Sequence, residues 1–537
     1  MFLRRTIDAL LFCVFALPFV SASPIIDLGY ARYQGTVDAS ANTTTFLGIR
    51  YAAAPVGNLR FRAPRPPAHT TGVQLANAQP DQCYQAGNGL SATNPYKPRD
   101  VVVGTSEDCL FLSVSYPSDA KGHPTRQLPV IVWIHGGGYV GGSSSMYRGT
   151  DIIAQSNRGV VVVTIQYRLG VFGFLAGAKV KENGSLNAGL LDQDFALRWV
   201  NQHIGKFGGD ASKVTIWGES AGAGSVLQQI VANGGNTKPQ LFRAAITSST
   251  FLPSQYNFND RIPELIYSEF VAQTNCSGAA DSLACLRQAD VDVLETANTN
   301  INSAAFYGTF ALVPVVDGEF IRQRPTLSLA QGKVNGKMLL SVTNSNEGPE
   351  FVDQEAAASA NATQYVLDLF PNLKAAQADE VYALYKGLGE PTSQLNAIMG
   401  DSIFVCPTYY LLRAFAGRSF KGEMAILPAL HGQDVLDYFP SAFIDFPEIA
   451  GAFPFYNNTA FIDAFSQSFT SFAISLDPNV RVTQTITPRW NKWSAGHTEM
   501  RFNKTESDVP DIRSLKTDDA LLERCRFWES VGSLTGQ

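Results

Sequence analysis

Four apolar runs constrain the fold of this 537-residue chain more than any other feature of its sequence. They are rich in β-branched residues, end in glycines or polar turns, and span residues 128–139, 159–170, 213–222 and 337–348. Continuous apolar runs of this length are typical of strands buried on both faces of a parallel sheet. A segment with helical apolar spacing lies between the second and third runs and closes in a Gly-Gly pair. The alternation predicts an α/β fold with a large, mostly parallel central sheet and helices on both faces.

The composition predicts one large domain. Hydrophobic residues make up 45% of the chain and charged residues 16%, which supplies a substantial core and argues against disorder. Because no linker, low-complexity block or repeat divides it, we expect residues 23–537 to form a single domain. We interpret the helix-rich residues 356–430 as an insertion packed over the sheet. The net charge of -6, without a basic stripe, argues against nucleic acid as a partner.

The first 22 residues have the layout of a secretory signal peptide. Arg4 and Arg5 precede a short apolar segment, and Ala22 ends a small-residue cleavage site. The alternative interpretations are a buried N-terminal helix or an uncleaved anchor. The sequence contains no second apolar run long enough to be a transmembrane segment. We therefore expect an extracellular protein.

Secretion gives a role to the cysteines and to the glycosylation sequons. Six cysteines follow Cys13, and an oxidising compartment favours their pairing as disulfides. Spacing alone favours only the local pair Cys276–Cys285. Six asparagines stand in N-x-S/T and are candidate glycan sites: Asn42, Asn183, Asn275, Asn361, Asn457 and Asn503.

The third apolar run leads into a candidate nucleophile. Residues 218–222 read GESAG, which matches G-x-S-x-G between a strand and a helix and places Ser220 at a nucleophile elbow. The glycines let the strand and helix approach closely, and the helix N-terminus points its amides toward a developing oxyanion. The alternative is an ordinary Gly/Ser turn, since the five-residue pattern also occurs by chance.

The first apolar run ends in a candidate oxyanion hole. Residues 135–139 read HGGGY, and consecutive glycines let bare main-chain amides face a ligand. We predict that Gly137, Gly138 and Ala221 donate hydrogen bonds to the oxyanion. His135 is interpreted as a structural residue of this loop, and a merely flexible glycine loop is the alternative.

A general base and an acid should follow Ser220 in the chain order Ser, Asp or Glu, His. Only His431 and His497 remain beyond the serine, and His431 stands in a strand-end loop before a glycine turn. We therefore favour His431 as the base. For the acid we favour Glu347, which ends the fourth run, over Glu350 and Asp317. Glu347 would hold the imidazole tautomer and stabilise the imidazolium.

These residues resemble the type-B carboxylesterase and lipase family of α/β hydrolases, which includes the cholinesterases. The resemblance extends almost from end to end of the chain. Its landmarks include FLGIRYAAAPVGNLRFRAP, SEDCLFLSV, WIHGGGYVGGSS, VTIWGESAGAGSV, FRAAITSS, VPVVDGEF and NSNEG, in the order of the family. The resemblance implies the α/β-hydrolase fold and a secreted fungal carboxylic-ester hydrolase.

The resemblance also implies roles for individual residues. It implies Ser220 as nucleophile, Glu347 as acid and His431 as base, with no metal and no cofactor. Buried ion pairs are implied for Arg60 with Glu107 and for Arg168 with Asp192, because a buried charge needs a partner. The implied disulfides are Cys83–Cys109, Cys276–Cys285 and Cys406–Cys525.

Departures from the family pattern bear on the substrate. Arg50 stands where the family usually has proline, and Thr250 stands where glycine is usual, which is expected to alter the acyl pocket. The Cys83–Cys109 loop has Thr93 before Asn94-Pro95, where cholinesterases have a choline-binding tryptophan, so choline esters are not expected. The loop is Gly/Asn/Pro-rich with one apolar run at residues 101–103, which argues against strong interfacial activation.

The resulting prediction is a secreted serine esterase that acts through a Ser-His-Glu triad and an acyl-enzyme. Its partner would be a small-molecule carboxylic ester, lipid-like or aromatic, with a lipid interface as a further candidate. Within this class, a lipase or sterol esterase stands against a feruloyl or general carboxylesterase. The alternative class is a catalytically silent adhesion or binding protein on the same fold.

Overall fold

The computed structural model describes residues 23–91, 104–124, 127–442 and 455–537. The predicted signal peptide, Cys13, and the part of the Cys83–Cys109 loop that holds Thr93, Asn94-Pro95 and residues 101–103 lie outside this range. Within the described ranges, no helix combines the length and the apolar character needed to cross a membrane.

The described part of the chain contains a large central sheet and a small three-stranded sheet. Eleven strands pair in the order β14-β13-β12-β11-β10-β9-β7-β8-β6-β4-β3, and β1, β2 and β5 form the small sheet. The strands are β1 Ile25–Asp27, β2 Arg32–Gln34, β3 Thr36–Asp38, β4 Thr43–Arg50, β5 Val73–Leu75, β6 Phe111–Pro117, β7 Leu128–Ile134, β8 Val161–Ile165, β9 Gly209–Glu219, β10 Ala244–Ser248, β11 Met338–Asn344, β12 Ser419–Met424, β13 Thr498–Lys504 and β14 Pro510–Lys516.

The central part of the large sheet is parallel. Strands β8, β7, β9, β10, β11, β12 and β13 run in one direction, while β6, β4, β3 and β14 pair antiparallel at the two edges. The predicted fold class is therefore confirmed. The four predicted strands are β7, β8, β9 and β11, and each ends three to five residues before the end of its predicted run, because the runs include residues of the turn that follows the strand.

Helices connect the parallel strands. They are α1 Gly149–Gln155, α2 Gly170–Phe174, α3 Ala178–Asn183, α4 Ala188–His203, α5 Ala221–Gly235, α6 Arg261–Gln273, α7 Ser282–Gln288, α8 Val291–Ser303, α9 Pro325–Ala330, α10 Gln354–Ala357, α11 Ala362–Leu369, α12 Ala375–Tyr385, α13 Pro391–Gly400, α14 Cys406–Ala414, α15 Val435–Tyr438, α16 Thr459–Ser475, α17 Asp519–Ser530 and α18 Gly532–Thr535. A π-helix, Asp401–Val405, joins α13 to α14.

One sequence interpretation needs correction. Residues 356–430 are helical only as far as Ala414, and they then enter β12, which pairs with β11 in the middle of the large sheet. The segment SFKGEM alternates small, polar and apolar side chains, so it lacks the continuous apolar run that predicts β7, β8, β9 and β11. This part of the chain is therefore integral to the sheet.

Two hydrophobic cores cover the faces of the large sheet. Along β7, Val130 and Val132 belong to one core, whereas Ile131 and Trp133 belong to the other. Successive side chains of a strand point to opposite faces, so a strand between two cores carries mainly apolar side chains on both faces. This arrangement explains the continuous apolar runs in the sequence.

The implied ion pairs are present in the structure. Arg60 donates to Glu107 at 2.6 and 2.7 Å, and the buried Arg168 donates two side-chain hydrogen bonds to Asp192 at 2.7 and 2.8 Å. Arg50, the departure from proline, forms a bidentate pair with Asp108 at 2.5 and 2.7 Å. The structure also contains the disulfides Cys83–Cys109, Cys276–Cys285 and Cys406–Cys525.

Candidate active site

The three candidate triad residues lie in turns beyond the carboxyl ends of parallel strands. Ser220 directly follows β9, Glu347 follows β11, and His431 lies in the loop after β12. Carboxyl ends of parallel strands meet at one edge of the sheet, where loops from neighbouring strands come together. The strand order β9-β10-β11-β12 thus collects at one site residues that lie 84 or more positions apart in sequence.

The turn at Ser220 has the geometry of a nucleophile elbow. Ser220 has φ 53° and ψ -125°, a conformation that a non-glycine residue rarely adopts, and its carbonyl accepts the first hydrogen bond of α5 from Gly224. A Cβ at Gly222 would overlap the main-chain oxygen of Ile134, and a Cβ at Gly218 would overlap Gly222. The glycines of GESAG are therefore required by the close approach of β7, β9 and α5.

His431 and Glu347 form a buried pair. His431 Nδ1 lies 2.7 Å from Glu347 Oε2, and both side chains are buried. The other carboxylate oxygen, Oε1, accepts from the Asn344 N–H and from the Ser249 hydroxyl, both at 2.7 Å. This arrangement fixes the carboxylate and suits it to orient the imidazole.

Sequence reasoning missed Ser249 and Asn344. Ser249 follows β10 with a strained φ of 56°, and Asn344 ends β11 and also donates to Asp434 at 2.9 Å. The signal that could have found them is their position, since each is a small polar residue at the carboxyl end of a buried parallel strand.

Glu219 was also missed as a part of the site. Its Oε1 lies 3.3 Å from His431 Nε2, and its side chain is buried. Burial raises the pKa of Glu219 to about 8, although attraction to His431 opposes this and repulsion from Asp434 and Glu347 adds to it. The position next to the serine in GESAG was the available signal.

The pKa of His431 is set by opposing effects. Burial lowers it, but the hydrogen bond with Glu347 and the charges of Glu219, Glu347 and Glu350 outweigh burial and raise the pKa to about 9. Carboxylates around an imidazole favour its protonated form. The site therefore stabilises the imidazolium that forms when the ring accepts a proton.

The HGGG loop borders the same cavity as Ser220. Gly137 and Gly138 have φ values of 100° and 63°, which favour glycine, and they line a cavity of about 610 Å³ together with Ser220 and His431. Ala221 is the first residue of α5, so its amide belongs to the helix N-terminus. The loop therefore lies beside Ser220, and the N-terminus of α5 directly follows the serine.

The other candidates from the sequence have different surroundings. His135 is buried and stacks on Tyr167, and burial lowers its pKa to about 4, so it is a neutral structural residue. His497 stacks on Trp493 just before β13, and Asp317, in the loop between α8 and α9, accepts from Asn187 at 2.6 Å. None of these three contacts the His431–Glu347 pair. Among the described residues, no group of three or more His, Cys, Asp or Glu side chains is arranged to hold a metal ion.

A second cavity of about 570 Å³ adjoins the first. Phe310 and Phe351 line both cavities, and Phe251 and Phe404 complete an aromatic partition between them, with ring centroids 5.0–6.3 Å apart. The lining of the second cavity is mainly apolar and reaches the exposed Leu265 on α6.

Thr250 does not form part of the wall of either cavity. Its side chain is fully buried, donates to Thr247 at 3.0 Å and accepts from Thr408 at 2.9 Å. The expected direct effect of Thr250 on the acyl pocket is therefore not seen, since its hydroxyl joins β10 to α14 beneath that wall.

The fold and the elbow geometry together define an α/β hydrolase. The family model of the carboxylesterase family matches residues 22–528, and the chain belongs to this family. Its activity is that of a carboxylic ester hydrolase.

Several fungal relatives resemble the chain over most of its length. The secreted triacylglycerol lipase LIP1 of Gibberella zeae is 31% identical over 92% of this chain and 91% of its own. Carboxylesterase patB of Aspergillus clavatus is 32% identical over 80% of this chain and 85% of its own. The crystal structure of Aspergillus niger EstA matches with a TM-score of 0.83 and 32% identity, over 96% of this chain and 99% of that chain.

Proposed function

We propose that this protein is a secreted serine esterase that hydrolyses lipid-like esters through an acyl-enzyme. The observation that carries the proposal is the buried His431–Glu347 pair, at 2.7 Å, in the cavity that also contains Ser220. A base that is oriented by a carboxylate and stands beside a strained serine is the arrangement that activates a hydroxyl nucleophile.

In the acylation step, Ser220 Oγ attacks the ester carbonyl carbon while His431 Nε2 accepts the hydroxyl proton. The amides of Gly137, Gly138 and Ala221 donate hydrogen bonds to the resulting oxyanion. The carbon–oxygen bond to the alcohol then breaks, and His431 returns its proton to the departing alkoxide. In the second step His431 takes a proton from water, the hydroxide attacks the acyl-enzyme, and the acid leaves as Ser220 regains its proton.

The second cavity favours a substrate with a long acyl chain. It is largely apolar, falls within the size range of small-molecule sites, and meets the Ser220 cavity at the aromatic partition, where Phe310 and Phe351 line both cavities. An acyl chain that displaced these rings would bury its methylenes in the second cavity. Each buried methylene would contribute about 0.8 kcal/mol to the free energy of binding. This favours long-chain acyl esters over feruloyl or short-chain esters.

The extracellular location is part of the proposal. The layout of residues 1–22, three disulfides and relatives named as secreted lipases support it. Asn361 is an exposed sequon residue whose side chain caps α11, and it is one of the proposed glycan sites.

The test compares the purified wild type with Ser220→Ala, with the exposed Ser393→Ala as a matched control. We expect Ser220→Ala to lose at least about a thousandfold in kcat/KM on p-nitrophenyl esters, and Ser393→Ala to lose nothing. For the wild type, kcat/KM should rise from butyrate to palmitate and exceed that for methyl ferulate. Full activity of Ser220→Ala would overturn the mechanism, and a preference for butyrate or ferulate would overturn the substrate class. If the wild type hydrolyses none of these esters and an organophosphonate does not label Ser220, the result would favour the alternative of a catalytically silent binding protein.

A further inference from the structure

Gln537 lies at a three-way junction beneath the wall of the second cavity. Its side chain is buried, and its Nε2 donates to the Leu252 carbonyl at 2.6 Å and to the Ser402 carbonyl at 2.8 Å. Its main-chain oxygen accepts from Arg324 at 2.9 Å and from Thr326 at 2.6 Å. The main chain of Gln537 is therefore held independently of its side-chain amide.

The junction joins the loop after β10 to the π-helix. Leu252 lies in that loop, and its N–H donates to the Ile403 carbonyl at 2.9 Å, while its carbonyl accepts from Gln537. Ser402 and Ile403 both lie in the π-helix, Asp401–Val405. Two successive π-helix carbonyls thus have partners outside the helix, which ties a locally widened helical turn to the loop.

Each of the two backbone segments at the junction, the loop and the π-helix, carries an aromatic side chain of the partition. Phe251 directly precedes Leu252, and Phe404 follows Ile403 in the π-helix. The two rings stack with centroids 5.5 Å apart, and the Phe404 ring lies 4.3 Å from the imidazole of His431. A shift of either backbone segment would therefore move the partition between the cavities.

We propose that Gln537 is a positioning residue that sets the acyl-chain selectivity of the enzyme. Its primary amide carries two donors, which match the two carbonyls of Leu252 and Ser402, and no apolar side chain of similar size can satisfy both. By holding these two segments together, Gln537 keeps Phe251 and Phe404 at the spacing at which the second cavity accepts a chain. This inference rests on the proposed function of that cavity as the acyl site.

The test uses Gln537→Leu, which keeps the approximate size but removes both donors. We expect KM for the p-nitrophenyl palmitate ester to rise about tenfold, with kcat/KM for the butyrate ester within about twofold of wild type. Gln537→Glu should give an intermediate KM, because burial favours the protonated carboxyl, which keeps one donor.

The matched control is Thr326→Val, which removes a hydrogen bond to the main chain of Gln537 but leaves its amide intact. We expect this variant to lower Tm without changing the ratio of palmitate to butyrate kcat/KM. An equal loss on both esters in Gln537→Leu, or the same altered ratio in Thr326→Val, would overturn the inference and leave Gln537 a stability residue.

The same measurements separate this inference from the proposed function. If the wild type does not prefer palmitate, the acyl cavity itself is wrong. If the wild type prefers palmitate and Gln537→Leu and Gln537→Glu both keep that preference, only the role of Gln537 fails. Should Gln537→Leu not fold, the Gln537→Glu variant decides by the same ratio.

Discussion

At the scale of single residues, the carboxylates around the imidazole of His431 govern its protonation. Glu347 contacts Nδ1 of His431, and Glu219 lies 3.3 Å from Nε2, on the side from which a base must act. Glu350 adds a third negative charge, and the burial of Glu350 raises its own pKa. The balance between burial and these charges decides the pH at which His431 becomes neutral and able to accept a proton.

This balance predicts the effect of Glu219→Gln on the pH profile. The Glu219 charge raises the pKa of His431, so its removal should lower that pKa. Under the proposed mechanism His431 must be neutral to act as base, so the acid limb of kcat/KM should move to lower pH by about one unit. The measurement is kcat/KM against pH, with Glu506→Gln in the exposed β13–β14 turn as control. An acid limb that stays in place or moves to higher pH contradicts this account of His431.

At the scale of secondary structure elements, the active site depends on how closely β7, β9 and α5 approach. The main-chain oxygen of Ile134 at the end of β7 lies where a side chain at Gly222 would begin. A main-chain oxygen cannot move aside as a flexible side chain can. A side chain at position 222 would therefore displace the backbone of the sheet and destabilise it.

We therefore expect Gly222→Ala to lower the free energy of unfolding by roughly 1–3 kcal/mol or more and to reduce activity by displacing Ser220. Gly205 gives a matched control, because a Cβ there meets no heavy atom within 4 Å. Thermal melting and kcat/KM of Gly222→Ala and Gly205→Ala would be compared. Equal Tm values for the two variants would show that the close approach of the strand and helix does not limit stability.

At the scale of the whole molecule, the disulfides close loops of different length. Cys406–Cys525 joins α14 to α17 across 119 residues, whereas Cys276–Cys285 spans 9. The longer bridge removes more conformational freedom from the unfolded chain. It also anchors α17 close to the segment that holds Gln537.

The loop lengths predict that removing the two disulfides lowers the free energy of unfolding by different amounts. Replacing both Cys406 and Cys525 by alanine should cost about 5 kcal/mol of stability, against about 3 kcal/mol for Cys276 and Cys285. Urea unfolding of the two double variants, each under identical non-reducing conditions, gives the comparison. A larger loss from the short loop than from the long one would contradict the entropic account.

The sequence by itself determined the local features of this protein. Strands buried on both faces of a parallel sheet are mostly apolar, so β7, β8, β9 and β11 could be predicted, whereas β12, with its small and polar residues, could not. GESAG and HGGGY carry their geometry within a few residues, since glycines at positive φ and at close contacts restrict the backbone directly. Ser220, Gly137 and Gly138 were therefore predicted from the residues themselves.

Tertiary structure alone decided which distant groups meet. The order β9-β10-β11-β12 brings Ser249 and Glu219 to the His431–Glu347 pair, and although Ser249 directly follows a buried strand, its sequence does not show which carboxylate it contacts. The aromatic partition and the junction at Gln537 likewise join segments more than a hundred residues apart. The physical reason is that hydrogen bonds and packing depend on distance in space, and strand order sets that distance only once the sheet is assembled.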